Sequence, residues 1–445
     1  IAQMYSNFKR YALGHGCSAI WDEDRNTKKI KKIDGVFVPV YQLPKVNPDI
    51  KKENSEGKII DMPDMRDLSS EEGWRKGFGH ISEIIKFYEK WIDNLRVNSE
   101  ASNEEEKIIE NCKYALERMK EGSDLLRDNE EVKKVFMYMN EAMLSQQERA
   151  LSGKRYAEPN IENNQTPHIP RPFSINPNRG KWRAFQICFI LANLKSSIDA
   201  KDKNRDMVEL IWFPTGGGKT EAYLGLAAFT ILWNRFQNPQ ADFGTEVLMR
   251  YTLRLLTTQQ FQRASTLICA LEKLRKQNEE ILGETRISLG LFVGGDASPN
   301  TKSAISSAWT NLNSRFLPNK FVVDQCPWCG SEMGRSRRRL PGGNFWQTSL
   351  GYIRNGTQEN APIFSCIDQS CDYSSRNEPR GLPLYIDDIS IIDQAPTLVI
   401  GTIDKFAVIP WKNNIQNLFG LNSDGERFRK PPALIIQDEL HLIHK

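Results

Sequence analysis

The spacing of apolar residues changes character along the chain and divides it into regions. Between residues 69 and 150 apolar positions recur at helical spacing. Ile81, Ile84, Ile85, Tyr88, Trp91 and Ile92 fall on one face, which predicts amphipathic helices that pack their stripes into a bundle core. Residues 152–179 lose that period, are rich in Pro and Asn, and read as a linker. Beyond them, short unbroken apolar runs alternate with longer helical stretches. Residues 207–213, 247–251, 289–293, 398–402 and 432–436 read as buried strands, and 220–236 as a helix rich in Ala and Leu. Such alternation predicts an α/β fold, a parallel sheet flanked by helices, preceded by a mixed strand and helical region. Near the start, residues 11–21 and 36–41 read as strands with tight glycine turns. His15, between two glycines, reads as a structural hydrogen-bonder.

The chemistry concentrates at two strand ends. After the run 207–213 comes Pro214-Thr215-Gly216-Gly217-Gly218-Lys219-Thr220, and then a helix. Consecutive glycines let backbone N–H groups curl around phosphate oxygens, and a helix N-terminus adds partial positive charge. Thr215, Gly216, Gly217, Gly218, Lys219 and Thr220 are therefore candidate nucleotide-binding residues, with Lys219 reaching the β/γ-phosphates and Thr220 taking a Mg²⁺ position. At the end of the run 432–436 stands Gln437-Asp438-Glu439-Leu440-His441. Ligands of open parallel sheets bind outside such strand ends. Asp438 suits Mg²⁺, Glu439 suits orienting and deprotonating an attacking water, and His441 has the place of a coupling histidine.

Cysteines fall into two sets. Cys17, Cys112, Cys188 and Cys269 are isolated and read as buried thiols. Cys326-Pro-Trp-Cys329-Gly and Cys366-x₄-Cys371 form two pairs at zinc-ligand spacing. Four thiolates close a tetrahedral site, so a structural Zn²⁺ is expected rather than a catalytic one. The alternative, disulfides, needs an oxidising compartment that nothing in the sequence points to. Between the pairs lies a basic run with Arg337, Arg338 and Arg339, followed by Trp346, Tyr352 and Arg354. That combination suits phosphate contact with base stacking, although a charge run also serves as a solvated face.

Composition sets bounds on these readings. At 445 residues with 39% hydrophobic content, several domains with sizeable cores are expected. The apolar runs are too short to span a bilayer, and no basic-then-apolar leader stands at Ile1, so a cytoplasmic protein without a membrane partner is expected. A net charge of +4 is too mild to argue for nucleic acid by itself, and any such binding must rest on local clusters.

Several of these segments resemble the motif series of superfamily 2 DExH helicases. The Pro214–Thr220 loop matches their phosphate-loop core, with Phe213 standing where the usual first glycine would fall. Arg183-Ala-Phe-Gln186 resembles their adenine-recognising element, in which a glutamine amide presents a donor and an acceptor. Arg254 and Gln259 resemble motif Ia, Gly294-Gly295 the paired-glycine contact, and residues 398–402, ending at Thr402, motif Ib. In that superfamily these elements meet the nucleic-acid backbone.

More specific stretches are similar to the helicase family of bacterial DISARM phage-defence systems. They are Arg10-Tyr-Ala-Leu-Gly-His-Gly-Cys17, Trp182-Arg-Ala-Phe-Gln186, Ile211–Gly225, Met249–Gln260, Cys326-Pro-Trp-Cys-Gly330, Gly401-Thr-Ile-Asp-Lys-Phe-Ala407 and Asp438-Glu-Leu-His-Leu-Ile443. The resemblance implies an ATP- and Mg²⁺-dependent DNA helicase or translocase, acting on single- or double-stranded DNA with a DrmB-like partner subunit. It divides the chain into a strand-rich region at 1–66, a helical region at 67–153, a linker at 154–179, and a first RecA-like domain at 180–445 with a zinc-binding insertion at about 318–385. Family members continue well beyond the acidic box, where a second RecA-like domain supplies an arginine finger worth roughly 10³–10⁵ in rate. A protein ending at Lys445 is accordingly expected to bind ATP weakly and hydrolyse it poorly. A nucleotide-gated DNA-recognition module without processive unwinding is the alternative.

Overall fold

The computed structural model describes residues 12, 18–24, 27, 29–36, 50, 59–97, 103–149, 153–159, 167–211, 218–252, 254–314, 316–340, 343–407, 409–411 and 413–440. Strands β1 (Ser18–Glu23) and β2 (Ile30–Val36) form an antiparallel hairpin. Helix α1 (Met65–Leu68) is capped by the Asp64 carboxylate, which accepts from Arg66 N–H. It leads into α2 (Glu71–Val97), α3 (Asn103–Asp128) and α4 (Glu130–Arg149). Ile81, Ile84, Ile85 and Ile92 are buried as the helical period requires, against Val135, Phe136, Met139 and Met143 of α4. Trp91 departs from that expectation. It lies at the margin of the stripe, is 42% exposed, and stacks its ring on Tyr88 instead.

A short hairpin, β3 (Glu158–Pro159) with β4 (Pro167–His168), lies in the stretch read as linker. Helix α5 (Ala184–Ile198) then packs on α3 and on α6 (Lys219–Gln237). Contact with α3 is close enough to constrain sequence: a Cβ on Gly122 would come 2.1 Å from the Leu191 carbonyl oxygen.

The remaining elements build the sheet and its insertion. In chain order they are β5 (Val247–Tyr251), α7 (Arg254–Gln277), α8 (Glu279–Leu282), β6 (Leu289–Phe292) and α9 (Lys302–Thr310). The hairpins β7 (Gly334–Arg339) with β8 (Phe345–Leu350) and β9 (Tyr352–Ile353) with β10 (Ile363–Phe364) follow. The chain then continues through β11 (Leu384–Tyr385), α10 (Asp388–Gln394), β12 (Leu398–Thr402), α11 (Ile403–Ala407) and β13 (Leu434–Gln437). Strands β11-β6-β12-β5-β13 form one five-stranded sheet, and every pairing in it is parallel. Helices flank the sheet, as the alternation of runs predicted. None of the described helices is long and apolar enough to cross a membrane.

Two strand expectations need correction. Residues 207–211 form no strand: Val208 is 90% exposed, and Met207 and Leu210 are exposed too. Among the described residues β13 pairs only with β5, so its outer edge offers this apolar run no second strand to complete a ladder. The last strand is also shifted, to Leu434–Gln437 rather than 432–436. Pro431 and Pro432 carry no N–H to donate, and the chain first engages β5's approach when Ala433 N–H donates to the Glu246 carbonyl at 2.8 Å.

Buried charge ties the layers together. Arg235 of α6, fully buried, donates to Glu246 at 3.2 Å, to the Thr285 carbonyl at 2.5 Å and to Thr397 at 3.3 Å. It thereby joins a helix to the approaches of three strands.

Opposite effects are predicted for two glycines. Gly122→Ala should destabilise by about 2–3 kcal/mol, because backbone lies in the way. Gly79→Ala, in α2 with open space around it, should stabilise by about 0.5–1 kcal/mol. Denaturant unfolding of both variants checks the signs.

Candidate functional site

An all-parallel sheet places every strand's carboxyl end on one edge. Along that edge, in the order of the strands, stand Gly294 and Gly295 after β6, Thr402 at the end of β12, Tyr251 and the start of α7 after β5, and Asp438 and Glu439 after β13. Positions far apart in sequence are thus brought into one row. Thr402 is buried, its hydroxyl 3.4 Å from Asp404. Gly294 and Gly295 form a turn in which Ala297 N–H donates to the Gly294 carbonyl and Lys320 to that of Gly295. Gln259 is exposed on the first turns of α7, beside a cavity of about 230 Å³ between that helix and the first cysteine pair. The side chain of Arg254 lies outside the described residues, as do Thr215, Gly216, Gly217, His441, His15 and Cys17.

The two halves of the candidate nucleotide site meet at α6. Gly218 is its N-cap, at φ +88°, in the left-handed region that favours glycine. Gln186 holds this turn: its Nε2 donates to the Gly218 carbonyl at 2.7 Å, while its Oε1 accepts from Arg183 N–H at 2.8 Å. The glutamine expected at an adenine edge therefore also locks the start of α5 to the end of the glycine loop. A Cβ on Gly218 would come 2.8 Å from Gln186 Nε2 and displace it, while only touching Glu221 and the Arg183 guanidinium.

Lys219 and Thr220 open the helix, and one turn on stands Tyr223. Its hydroxyl lies 3.1 Å from Thr220 Oγ1, 2.8 Å from Asp438 Oδ2 and 3.2 Å from the Tyr251 hydroxyl. Asp438 Oδ1 accepts from Glu439 N–H at 2.9 Å, and Asp438 N–H donates to the Arg250 carbonyl of β5. Glu439 sits at φ +49°, a left-handed conformation that a non-glycine residue holds only where its surroundings impose it. Thr220 and Asp438 offer the hard oxygen donors Mg²⁺ requires, and the shared contact with Tyr223 places them on one site. Neither tyrosine was picked out by motif reasoning. The one signal was position: Tyr223 follows Thr220 by one helical turn, and Tyr251 closes the strand before α7.

The second centre is the cysteine cluster. The Sγ atoms of Cys326, Cys329, Cys366 and Cys371 all lie within 4.8 Å of one another and are buried. Cys326 and Cys371 are 4.0 Å apart, and Cys329 and Cys366 3.4 Å. Disulfide sulfurs would be about 2.05 Å apart, whereas thiolates around a tetrahedral Zn²⁺ stand about 3.8 Å apart. The set therefore fits a metal such as zinc. Neighbouring thiols, Cys326 foremost, donate to Cys329 and hold its proton affinity down, while burial pushes Cys326 well up.

Around this cluster the linker and helical region close like a clamp, which no motif announced. Arg155 N–H donates to the Gly330 carbonyl at 2.7 Å, and its guanidinium donates to the carbonyls of Arg171 and Cys329 and to Asp368 at 2.6 Å. Arg149, at the end of α4, lies 3.8 Å from the Trp328 ring centre and donates to the Trp328 carbonyl. From α7, Thr266 donates to the Pro327 carbonyl, and Tyr373 donates to the Cys269 carbonyl. Cys188 and Cys269 are buried as expected, but Cys112 only partly.

The basic run forms strand β7. Arg338 is committed to Glu332 at 2.7 Å and lies over Tyr156, while Arg337 stacks 3.8 Å from the Phe345 ring centre and Arg339 is exposed. Base stacking on Trp346 is ruled out by burial, and the half-buried Tyr352 ring is already packed edge-on against Phe321 and Phe364. Trp346 fills a small core with Ala157 and Leu350, and the Tyr352 hydroxyl donates to the Val323 carbonyl.

No protein-family model matches the chain. It is 32% identical over 481 residues to the DISARM protein DrmA of Bacillus paralicheniformis, across 99% of this chain. The chain is DrmA-like. It spans 40% of the length of that relative.

The clamp in this DrmA-like chain predicts a coupled loss. Arg155→Ala strands the Asp368 carboxylate, which is largely buried, and should cost about 3–5 kcal/mol. Cys329→Ser should remove the bound metal, counted by elemental analysis. Both variants should make residues 153–173 newly sensitive to protease.

Proposed function

We propose that this chain holds the nucleotide-binding half of an ATP-driven DNA helicase or translocase that serves bacterial phage defence of the DISARM type. Residues 180–445 are read as its first RecA-like domain, the Cys₄ insertion as a zinc-stabilised module, and 1–179 as an accessory region of strands, helices and linker. The observation that carries this reading is the meeting of Thr220 and Asp438 at Tyr223. A glycine loop and an acidic strand end, more than 200 residues apart, share one hydrogen-bonded site at the carboxyl edge of a parallel sheet. The similarity to a DISARM protein supplies the biological setting.

In this mechanism the loop from Thr215 to Gly218 cradles the phosphates and Lys219 offsets their charge. Thr220 and Asp438 would hold a Mg²⁺ ion, which when bound would supply neutralisation of charge on the transferred phosphoryl group. Glu439 orients a water in line with the terminal phosphate and accepts its proton. Arg183 and Gln186 flank the base. Gly294, Gly295, Arg254 and Gln259, on the same edge, face the DNA backbone, while the buried Thr402 shapes that edge from beneath through Asp404 rather than by touching DNA. His441 relays between nucleotide and DNA. A second RecA-like domain and a DrmB-like subunit complete the working assembly, in the cytoplasm.

A nucleotide-gated DNA-recognition module is the second reading, and Glu439 discriminates between the two. A clamp needs nucleotide binding but no activator of water. Glu439→Gln in the intact protein should lower DNA-stimulated ATPase about 10²–10⁴-fold while leaving ATP binding in place. A variant that hydrolyses normally would sink the motor reading. The hairpin makes a separate prediction. Replacing Arg337 and Arg339 with Ala should weaken DNA binding and reduce its salt slope by about 1–2, whereas Arg338→Ala should chiefly destabilise the fold by releasing Glu332. An unchanged slope would exclude the hairpin from the interface.

A further inference from the structure

Three groups from three separated segments, Thr220, Tyr251 and Asp438, converge on the Tyr223 hydroxyl, and the protons can be assigned by counting. Tyr223 has a single O–H to donate, and Asp438 Oδ2, a charged acceptor at 2.8 Å, is its nearest partner. Thr220 at 3.1 Å and Tyr251 at 3.2 Å then have the Tyr223 oxygen's two lone pairs to donate into. Every proton is used once and every lone pair at that oxygen is filled.

The consequence concerns Asp438. Its Oδ2 takes the Tyr223 proton and its Oδ1 takes Glu439 N–H. The carboxylate is thus gripped at both oxygens, which fixes its plane while one lone pair on each oxygen stays open. Thr220, donating its proton back to Tyr223, turns its own lone pairs outward. Resting on the nucleotide-site reading above, we infer that Tyr223, backed by Tyr251, is a positioning residue for the divalent cation: it presets the Asp438 carboxylate and the Thr220 hydroxyl as a pair of metal donors before nucleotide arrives. Tyr251 ends β5, three residues before α7 begins at Arg254.

A positioning role differs from a structural one in what it leaves alone. Fluorescent mant-ATP titrated onto the intact protein, in EDTA and across a Mg²⁺ series, separates nucleotide affinity from cation affinity. Mn²⁺ bound with ATP, followed by electron paramagnetic resonance, reports the cation directly. Tyr223→Phe removes one oxygen and should raise the Mg²⁺ half-saturation about tenfold, the scale of one hydrogen bond to a charged acceptor. Its affinity for mant-ATP in EDTA should stay within about twofold of wild type. Tyr251→Phe, one bond further out, should shift Mg²⁺ in the same direction by less. An unchanged Mg²⁺ requirement in Tyr223→Phe, equal losses with and without Mg²⁺, or a larger shift from Tyr251→Phe would overturn the inference while a Mg²⁺-dependent wild type keeps the nucleotide reading intact. A wild-type protein that binds mant-ATP no better with Mg²⁺ than in EDTA would overturn both.

Discussion

Parallel pairing of β5 with β12 on one side and β13 on the other is the constraint on which the rest of the structure depends. Parallel strands must be joined by crossovers that return the chain to the amino edge, so every strand releases it at the same, carboxyl edge. Loops after β5, β6, β12 and β13 therefore share one edge whatever their distance in sequence. The central position of β5 matters most. Its Arg250 carbonyl receives Asp438 N–H, its Tyr251 hydroxyl reaches Tyr223, and its end leads into α7. Moving β13 by one residue along β5 would turn Asp438 away from Tyr223, because alternate side chains face opposite sides of a sheet.

Much of this frame was legible in the sequence. Residues 247–251 and 398–402 read as strands from their apolar runs and are strands between those same limits, and α6 differs by a residue at each end from its expected span. Buried strands and helices announce themselves because burial leaves an unbroken apolar run or a period. The cysteine set was legible for another reason: metal ligation fixes residue type and spacing together. What stayed hidden depends on pairing rather than on pattern. Residues 207–211 carry a strand's composition, yet a run becomes a strand only with a partner beside it. The Tyr223 hydroxyl is equally mute in sequence, since its meaning comes from Asp438, which the fold delivers from another strand. Trp346 looked like a stacking platform beside arginines, and the small core around Ala157 claimed it instead.

The stretch read as a linker is docked at Arg155. Residues 152–179 have a linker's composition, with no apolar period, but Arg155 within them is buried and spends its backbone and guanidinium on the cysteine module. An arginine satisfies several carbonyls at once through its planar fork, so a segment without an apolar face can still dock firmly. Composition measures how a segment buries hydrocarbon. It is blind to a segment that is held by donors.

Helix α7 joins the two centres physically. It starts at the strand edge after β5, and about three to five turns further on its Thr266, Cys269 and Lys273 hold the Cys₄ module through Pro327, Tyr373 and Asp372. Arg149 and Arg155 from the helical region and linker hold the same module, Arg149 sharing the Trp328 ring with Lys273 of α7. Because α4 also packs directly on α7, the module is wedged against both helices, and how firmly it braces them depends on how well its own shape is fixed. Four sulfurs drawn to one ion fix it better than the hairpin's small core of Ala157, Trp346 and Leu350 can. A metal held by these four sulfurs would contribute stiffness, bracing the insertion where α7, α4 and Arg155 meet it.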